Sequence, residues 1–417
     1  MADLTAAVLS KTRADIEKDT TQPATLDQEV QSVTILGATG SIGSSTLDLM
    51  ASHHQRFALE AVTADTNAVE LAQIAKTHGA KRAVIADAAH YTRLKTELSG
   101  TGIEAMAGPE ALIEAACIPV DCVMASIVGA AGLPPAFAAL KNGGRIGLAN
   151  KECLVCAGDI FMKEVERHGV ELLPVDSEHS AGFQALGTAE PETIEKITLT
   201  ASGGPFRSWS ADQIAKATRD EALKHPNWSM GAKITIDSAS MMNKGLELIE
   251  AYHLFPVNVD QLDTVVHPQS IIHCLVSYCD GSVLAQLSEP DMRTPIALAL
   301  SWPTRMDAPT KRLSLADIGT LTFEAPDPVR FPALRIAKDA LHHGGSAPAV
   351  MNAANEIAVG HFLKGGLPFP VITRTVEDTL ERADAEGLLS PVTTLDEILS
   401  VDQDARRLAE EALERLC

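Results

Sequence analysis

Two acidic residues stand where a short apolar segment ends, and their spacing suits a metal ion. Asp176 and Glu178 follow residues 171–175, an apolar segment that predicts a β-strand. Carboxylates two positions apart, with a turn between them, can both point at one hard cation, which prefers oxygen ligands. The same pair is also common at solvated strand ends. A third oxygen ligand from elsewhere in the chain is therefore needed to define a metal site.

A second group of residues has the chemistry of an anion site. Residues 201–207 read ASGGPFR, a glycine-rich turn after a predicted strand, and they include Ser202. Further along, Asn243 and Glu247 are one helical turn apart and share a face with each other. Lys244 supplies the full positive charge that a phosphate favours, and hydroxyl and amide groups supply hydrogen-bond donors.

Each member of this second group also has a purely structural explanation. His225 precedes a proline and can be an ordinary loop residue, and Trp228 can belong to the core. Their coincidence with a nucleotide-binding loop earlier in the chain favours a site.

That loop lies between a predicted strand at residues 33–36 and a predicted helix. Residues 37–43 read GATGSIG, in which glycines recur at every third position. Such glycines let the backbone approach a pyrophosphate, whose charge is favoured at a helix N-terminus. A tight turn without a ligand is the simpler alternative, but the strand, loop and helix order is the context that a dinucleotide motif requires.

Two further strand ends carry polar residues. Asp65 follows the second predicted strand, where an acid favours NAD by accepting bonds from the free ribose hydroxyl. Asn150, Lys151 and Glu152 follow the strand at residues 145–149, and Lys151 is placed to hold a substrate oxygen. A helix N-cap at Asn150 with a first-turn Glu152 would explain two of these three residues without any ligand.

Short β-branched segments alternate with helical ones over the first part of the chain. This alternation predicts βαβ units and a Rossmann-type parallel sheet with helices on both faces. The predicted strands are residues 33–36, 59–63, 82–86, 122–126, 145–149 and 171–175, with helical segments such as 68–79 and 163–169 between them.

After Asp176 the pattern changes twice. Strand-like segments at residues 196–201, 264–266, 271–276 and 282–287 predict a central α+β catalytic domain. Helical periodicity at residues 333–342, 347–363, 371–385 and 394–416 predicts a C-terminal helical domain. We therefore expect an N-terminal extension at 1–29, a dinucleotide-binding domain at 30–175, a catalytic and metal-binding domain at 176–315 and a helical domain at 316–417.

Composition excludes several classes of protein. The 417 residues carry a net charge of −21, which disfavours a nucleic-acid partner. Seven scattered cysteines do not form a disulfide framework. The uncharged residues 123–140 contain two glycines and two prolines, so they fit a strand end and turn better than a membrane span. Without a signal-peptide pattern at the N-terminus, we expect a cytoplasmic protein with no membrane partner.

Together these segments resemble the 1-deoxy-D-xylulose 5-phosphate reductoisomerase family. The resemblance runs from about Val33 to beyond residue 390, in order and at sensible spacing. The matching stretches are 37–43 (GATGSIG), 148–152 (LANKE), 174–179 (PVDSEH), 201–207 (ASGGPFR), 225–231 (HPNWSMG), 237–247 (DSASMMNKGLE), 267–273 (HPQSIIH) and 352–356 (NAANE).

The resemblance implies a homodimeric, NADPH-dependent enzyme with Mg²⁺ or Mn²⁺. It would rearrange the phosphorylated sugar 1-deoxy-D-xylulose 5-phosphate and reduce the resulting aldehyde to 2-C-methyl-D-erythritol 4-phosphate, a step of isoprenoid biosynthesis by the non-mevalonate pathway.

The resemblance also assigns the site residues. The metal ligands are Asp176, Glu178 and Glu247. The catalytic residues are Lys151, Glu178 and His225. The substrate is bound by Lys151, Ser177, Glu178, Ser202, His225, Ser238, Asn243, Lys244 and Glu247. The cofactor is bound by Thr39, Gly40, Ser41, Ile42, Thr66, Asn67, Asn150, Glu152 and Gly231. Trp228 and Met230 belong to a lid that folds over the sugar.

One departure and two rival interpretations accompany this resemblance. Asp65 and Thr66 stand where a basic residue is expected before Asn67, which bears on the preference for NADP over NAD. A semialdehyde or acyl-phosphate reductase shares the glycine loop but needs a thiolate nucleophile, for which Cys153 and Cys156 are the candidates. A protein that only senses dinucleotide would show neither turnover nor metal dependence.

Overall fold

The computed structural model describes residues 30–228 and 230–416. The predicted extension at residues 1–29 lies outside these described residues. None of the helices in the described part of the chain is long and apolar enough to cross a membrane.

The first part of the chain alternates strands and helices without interruption. Its strands form one fully parallel sheet in the order β4-β3-β2-β1-β5-β6-β7. The elements are β1 (Gln31–Leu36), α1 (Ser41–Ser52), β2 (Phe57–Ala64), α2 (Ala68–His78), β3 (Arg82–Ile85), α3 (Tyr91–Glu97), β4 (Glu104–Ala107), α4 (Pro109–Ala116), β5 (Cys122–Ala125), α5 (Leu133–Leu140), β6 (Arg145–Leu148), α6 (Glu152–His168) and β7 (Glu171–Pro174).

This sheet confirms the predicted Rossmann-type fold, with one strand more than predicted. The strand order reverses at β1, which pairs with β2 on one side and β5 on the other. Ligands of open parallel sheets bind at such a reversal, beyond the carboxyl ends of the strands. The unpredicted strand is β4, at the edge of the sheet. Its sequence, EAMA, contains no β-branched residue and gives no strand signal.

The central part of the chain holds a smaller mixed sheet, as predicted. The strand order is β11-β10-β8-β9, in which β8 and β9 are parallel and β10 runs antiparallel to both of its neighbours. The elements are α7 (Ser177–Leu186), β8 (Ile194–Ala201), α8 (Ala211–Ile214), α9 (Arg219–Ala222), α10 (Ala232–Ala239), α11 (Met242–Leu254), β9 (Leu262–Val266), β10 (Ile272–Tyr278), β11 (Val283–Leu287) and α12 (Arg293–Ser301).

Helix α12 returns from the small sheet to the large one. Its residues Ile296 and Leu300 are buried in the same apolar cluster as Val33 and Ile35 of β1. At its start, Arg293 donates a 2.9 Å hydrogen bond from Nη1 to Oδ2 of Asp48 on α1. The two sheets are therefore connected by packing as well as by the chain.

The remaining residues form the predicted helical region. These elements are α13 (Leu315–Ile318), α14 (Ala333–His343), α15 (Ala347–Leu363), α16 (Val371–Ala385) and α17 (Leu395–Leu416). Helix α15 is buried along most of its length. One large apolar cluster joins this helix to α6 of the first sheet and to α11, so the helical region is part of the frame around the site.

Candidate active site

A cavity of about 620 Å³ lies at the carboxyl ends of the first sheet, between the glycine loop and helices α10 and α11. Most of the predicted site residues line it: Gly40, Ser41, Ile42, Lys151, Glu152, Asp176, Ser177, Glu178, Ser202, His225, Trp228, Met230, Gly231, Ser238, Asn243, Lys244 and Glu247.

Four predicted cofactor residues are not part of this lining. Thr39 belongs to the glycine loop, and Thr66 and Asn67 stand exposed beyond the end of β2. Asn150 is buried below the cavity wall, where its Nδ2 donates to the backbone oxygen of Gly129 at 3.0 Å and to that of Ile127.

Three carboxylates from two separate helices meet at one end of the cavity. Asp176 is the N-cap of α7, Glu178 lies in the first turn of that helix, and Glu247 lies on α11. One oxygen of each carboxylate lies within 4.8 Å of the others, a separation at which a single cation can bind all three. The fold therefore supplies the third oxygen ligand that the sequence pattern alone left open.

Two lysines share this carboxylate cluster. Nζ of Lys151 lies 2.5 Å from Oδ2 of Asp176 and 3.0 Å from Oε1 of Glu247. It also donates to Oδ1 of Asn243 at 2.8 Å. Nζ of Lys244 donates to Oε1 of Glu178 at 2.8 Å and to Oε2 of Glu247. Lys244 thus lies against two of the carboxylates, and it lines the same cavity as Ser202 and Gly203 of the glycine-rich turn.

The proton affinities of the carboxylates fit a metal site. Burial, and then the negative charge of Glu247, raise the pKa of Glu178 to about 8. Burial alone would also raise the pKa of Asp176, but the Lys151 ammonium, His179 and the hydrogen bonds from Glu178 and Lys151 together hold that pKa below its usual range. The crowding that keeps a proton on Glu178 is relieved when a divalent cation takes its place, so these residues fit Mg²⁺ or Mn²⁺.

His225 and Ser202 form a second polar group in the cavity lining. Nδ1 of His225 accepts hydrogen bonds from the backbone N–H groups of Asn227 (3.2 Å) and Trp228 (2.9 Å). The ring proton therefore lies on Nε2, which donates to Oγ of Ser202 at 2.9 Å. Burial lowers the pKa of His225 to about 4, so the ring is neutral at pH 7.

Ser202 consequently has its own proton available for a ligand. Its Oγ accepts from His225 and also from the backbone N–H of Gly204 at 3.1 Å. Gly204 has a φ of +64°, and a Cβ there would lie 2.6 Å from the backbone oxygen of Ser238. This close approach, which needs glycine, brings the turn at residues 201–207 against the end of α10 and makes one hydroxyl-rich corner.

The glycine loop has the shape of a pyrophosphate cradle. A Cβ on Gly37, whose φ is +90°, would lie 3.0 Å from the backbone oxygen of Ser126. A Cβ on Gly43 would lie 2.5 Å from the backbone oxygen of Gly37. No side chain caps the first turn of α1 at Gly40. Its N–H groups therefore face the cavity as an anion site, and the loop fits a dinucleotide.

Several buried polar residues near the cluster have no role in the sequence-based assignment. His179 is buried and contacts α11 through both ring nitrogens. Its Nδ1 lies 3.2 Å from Oε2 of Glu250, and its Nε2 lies 2.8 Å from the backbone oxygen of Glu247. Glu250 is one helical turn beyond Glu247, so helical spacing was the signal that could have identified it. Nζ of Lys233 lies 3.0 Å from Oδ2 of Asp237, a pair with i,i+4 helical spacing, and 2.8 Å from Oε1 of Glu152, a contact that no local pattern indicates.

The two cysteines of the rival interpretation are in the wrong place. Cys153 and Cys156 are buried in helix α6 and are absent from the cavity lining. Burial raises the pKa of both thiols well above the usual range, so neither is a thiolate at pH 7. A reductase that uses either of these cysteines as its nucleophile is not compatible with this arrangement.

The glycine loop, the strand-order reversal and the shared cavity define an oxidoreductase of the Rossmann type. Comparison with known proteins makes the family specific. Three family models match: 1-deoxy-D-xylulose 5-phosphate reductoisomerase over residues 33–158, its C-terminal domain over 172–255, and DXP reductoisomerase C-terminal domain over 287–408. The chain belongs to the 1-deoxy-D-xylulose 5-phosphate reductoisomerase family, which confirms the resemblance found in the sequence.

Individual relatives agree with this membership. The 1-deoxy-D-xylulose 5-phosphate reductoisomerase of Afipia carboxidovorans is 55% identical over 388 residues, covering 93% of this chain and 95% of that protein. The solved reductoisomerase from Zymomonas mobilis in complex with NADPH is 47% identical with a TM-score of 0.87, over 93% of this chain and all of that chain (100%). A DOX-P reductoisomerase solved with NADPH, fosmidomycin and magnesium is 41% identical with a TM-score of 0.89, over 93% and 99%.

Proposed function

We propose that this chain converts 1-deoxy-D-xylulose 5-phosphate to 2-C-methyl-D-erythritol 4-phosphate, with NADPH as the reductant and Mg²⁺ or Mn²⁺ as the metal. This reaction is a step of isoprenoid biosynthesis by the non-mevalonate pathway. The observation that carries the proposal is that one cavity is lined by the glycine loop, the three-carboxylate cluster and the Ser202–His225 corner. The two solved relatives, in complex with NADPH and with NADPH, fosmidomycin and magnesium, support the same ligands here.

The metal would be held by Asp176, Glu178 and Glu247. When bound there, a divalent cation would polarise the carbonyl and hydroxyl oxygens of the sugar during rearrangement of its carbon skeleton. Lys151 lies beside two of these carboxylates and is placed to hold a substrate oxygen or to exchange a proton with it. Ser177 donates to Oε2 of Glu178 at 2.5 Å and helps to hold that ligand in position.

The phosphate group of the substrate would bind in the Ser202–His225 corner. The Ser202 hydroxyl has its acceptor positions filled by His225 and by Gly204 N–H, so its proton is directed to a phosphate oxygen. Lys244 adds a full positive charge, and Asn243 and Ser238 add polar groups along the same wall. Remote binding energy of this kind can drive closure of the site and exclusion of water.

NADPH would cross the sheet at the strand-order reversal. Its pyrophosphate would lie on Thr39, Gly40, Ser41 and Ile42, with the adenosine half beside Thr66 and Asn67. The nicotinamide half would then lie on the β5 and β6 side, near Asn150, Glu152 and Gly231. Trp228 and Met230 line the cavity between this half and the sugar, which suits the lid role proposed for them.

We further propose that the enzyme is a cytoplasmic homodimer of three-domain subunits, with domains at 30–175, 176–315 and 316–417. Strand β11 pairs only with β10 among the described strands, so its outer edge is open. Val283 and Leu284 on this strand are 52% and 51% exposed. A second copy of the chain would cover this apolar edge. The cysteines among the described residues are free, which suits a reducing compartment.

The test is product identification. The purified chain is incubated with 1-deoxy-D-xylulose 5-phosphate, NADPH and Mg²⁺, NADPH oxidation is followed by absorbance, and the sugar phosphate is identified by mass spectrometry. We expect 2-C-methyl-D-erythritol 4-phosphate in an amount equal to the NADPH oxidised. NADPH oxidation without this product, or no oxidation at all, would overturn the proposal.

A further inference from the structure

Glu356 lies on helix α15 in the C-terminal region, but its carboxylate reaches the nucleotide-binding sheet. Oε1 of Glu356 accepts a hydrogen bond from the backbone N–H of Ala130 at 3.2 Å. Ala130 belongs to the segment of residues 126–132 that follows β5, and Ser126 and Val128 of this segment line the cavity. We call residues 126–132 the cavity wall segment. Glu356 therefore supports this wall from behind.

The wall segment approaches Glu356 closely at a glycine. Gly129 has a φ of +78°, and a Cβ on it would lie 2.8 Å from Oε1 of Glu356. From the other side, Nδ2 of Asn150 donates to the backbone oxygen of Gly129 at 3.0 Å. The wall segment is thus held between a residue at the end of β6 and a residue of the C-terminal helices.

The Glu356 carboxylate is itself fixed within the helical region. Nδ2 of Asn352, one turn earlier on α15, donates to Oε1 at 3.1 Å. Nη2 of Arg406, on α17, donates to Oε2 at 2.5 Å. Nε of Arg406 in turn donates to Oδ2 of Asp402 at 2.6 Å. Because the Glu356 side chain is only 15% exposed, these bonds are poorly screened and restrict it to one position.

The neighbouring residue, Asn355, makes a second link to the cavity. Its Nδ2 donates to Oδ1 of Asp237 at 2.7 Å, and both side chains are buried. Oδ2 of Asp237 lies 3.0 Å from Nζ of Lys233, which also binds Glu152 at the start of α6. Asp237 and Lys233 lie on α10 and line the cavity. One turn of α15 therefore contacts both sides of the same crevice.

We propose that Asn355 and Glu356 are positioning residues that set the width of the nicotinamide end of the dinucleotide site. This inference rests on the proposed function, because it requires NADPH to lie across the strand-order reversal with its nicotinamide half between the wall segment and α10. Residues 352–356 (NAANE), one of the stretches on which the family resemblance rests, thereby acquire a positioning role. Neither residue lines the cavity, so both act through the groups that do.

Equilibrium binding tests this role without any turnover. NADPH and adenosine 2′,5′-bisphosphate, which lacks the nicotinamide half, are titrated against the wild type, Glu356→Ala and Glu356→Gln. The Ala variant loses one charge-assisted hydrogen bond to the wall, so we expect about tenfold weaker NADPH binding. Its affinity for the bisphosphate should stay unchanged. The Gln variant keeps an oxygen acceptor for Ala130 N–H and should bind NADPH within about threefold of the wild type.

Asp402→Asn is the matched control. Asp402 binds the same arginine and is 14% exposed, close to the value for Glu356, but it does not contact the wall segment. This variant should lower the melting temperature without changing NADPH affinity. Gly129→Ala, which places a methyl group between the wall segment and Glu356, should weaken NADPH binding as Glu356→Ala does and provides the test if that variant does not fold. Equal weakening of NADPH and bisphosphate binding in Glu356→Ala, or the same loss of NADPH affinity in Asp402→Asn, would overturn the proposal. Because binding is measured without sugar substrate, failure of the proposed reaction would be seen separately.

Discussion

At the residue scale, the orientation of the Ser202 hydroxyl proton determines whether this serine can donate a hydrogen bond to a phosphate. At Ser202 the two acceptor positions are filled by Nε2 of His225 and by the backbone N–H of Gly204. The backbone N–H groups of Asn227 and Trp228 fix the ring tautomer of His225. A neutral histidine can thus orient a donor toward an anion without carrying a charge itself.

Ser202→Ala removes that donor and should weaken the binding of the substrate but not of NADPH. A hydrogen bond to a charged group contributes about 1.5–3 kcal/mol, so we expect KM for 1-deoxy-D-xylulose 5-phosphate to rise by about tenfold or more. Initial rates and a fluorescence titration of NADPH measure the two affinities. Ser208→Ala, at an exposed serine outside the cavity, is the control. A parallel loss of NADPH affinity would contradict the assignment of Ser202 to the phosphate.

The loop after β2, where we propose that the adenosine half of the cofactor binds, is acidic in this chain. Asp65 and Thr66 are exposed beyond β2, and the side chain of Asn67 is bound to Glu70 at the start of α2. A basic side chain at this point of the fold accommodates the 2′-phosphate that distinguishes NADPH from NADH.

Thr66→Arg should therefore increase the selectivity for NADPH. An exposed ion pair contributes at most about 1 kcal/mol, so we expect the ratio of NADH to NADPH dissociation constants to rise about twofold to fivefold. Thr77→Arg adds the same charge on α2, at its other end, and should leave the ratio unchanged. If both variants give the wild-type ratio, the 2′-phosphate lies elsewhere.

At the scale of elements, residues 225–228 lie beside the cavity, which His225 and Trp228 line. Nδ2 of Asn227 donates to the backbone oxygen of Pro268 at 2.6 Å and to Oγ of Ser270 at 3.0 Å. The ring of Trp228 lies 6.3 Å from that of His273, measured between centroids. These residues are therefore anchored through Asn227, and Trp228 lies at the cavity surface.

Trp228→Ala should impair closure over the sugar more than cofactor binding. We expect kcat/KM for the sugar to fall by about a hundredfold, the equivalent of about 3 kcal/mol for a lost aromatic contact, with NADPH affinity within about twofold. Trp228→Phe, which keeps an aromatic ring, should retain most of the activity. Equal losses for both ligands would contradict a lid role and indicate a structural one.

Local pattern predicted most elements and missed those defined by distant pairing. The alternation of β-branched and helical segments located six strands of the first sheet, because buried parallel strands have an apolar signature. Strand β4 lacks that signature and exists because β3 offers a free edge. The carboxylate pair at Asp176 and Glu178 was visible at a strand end, whereas its completion by Glu247 needs the packing of α11 against α7, which family resemblance supplied and spacing did not. The contacts of Glu356 with the wall segment have no local signal at all.

At the scale of the whole molecule, the open edge of β11 is the surface on which the proposed dimer depends. Introducing two charges there, as Val283→Lys with Leu284→Lys, should prevent strand pairing between copies. Sedimentation velocity should give a dimer for the wild type and a monomer for this variant. Val69→Lys, at an exposed valine on α2, is the control and should remain dimeric. A dimer that persists in the double variant would place the interface on another surface.

The proposed reaction depends on both sheets. Helix α7 follows the last strand of the first sheet, α11 belongs to the second region, and carboxylates from both would hold one metal. The most direct test is the Mg²⁺ dependence of NADPH oxidation with 1-deoxy-D-xylulose 5-phosphate, measured for the wild type, Glu247→Gln and the control Glu60→Gln. Glu60 is a buried carboxylate that pairs with Lys81 and Arg82, away from the cavity.

We predict that chelation abolishes wild-type turnover and Mg²⁺ restores it. Turnover by Glu247→Gln should fall by more than ~100-fold while NADPH binding remains. Loss of a residue that only supports a metal ligand costs about 10- to 100-fold, so a larger loss indicates a direct ligand. Turnover without metal, or an unchanged Mg²⁺ dependence in Glu247→Gln, would contradict the account.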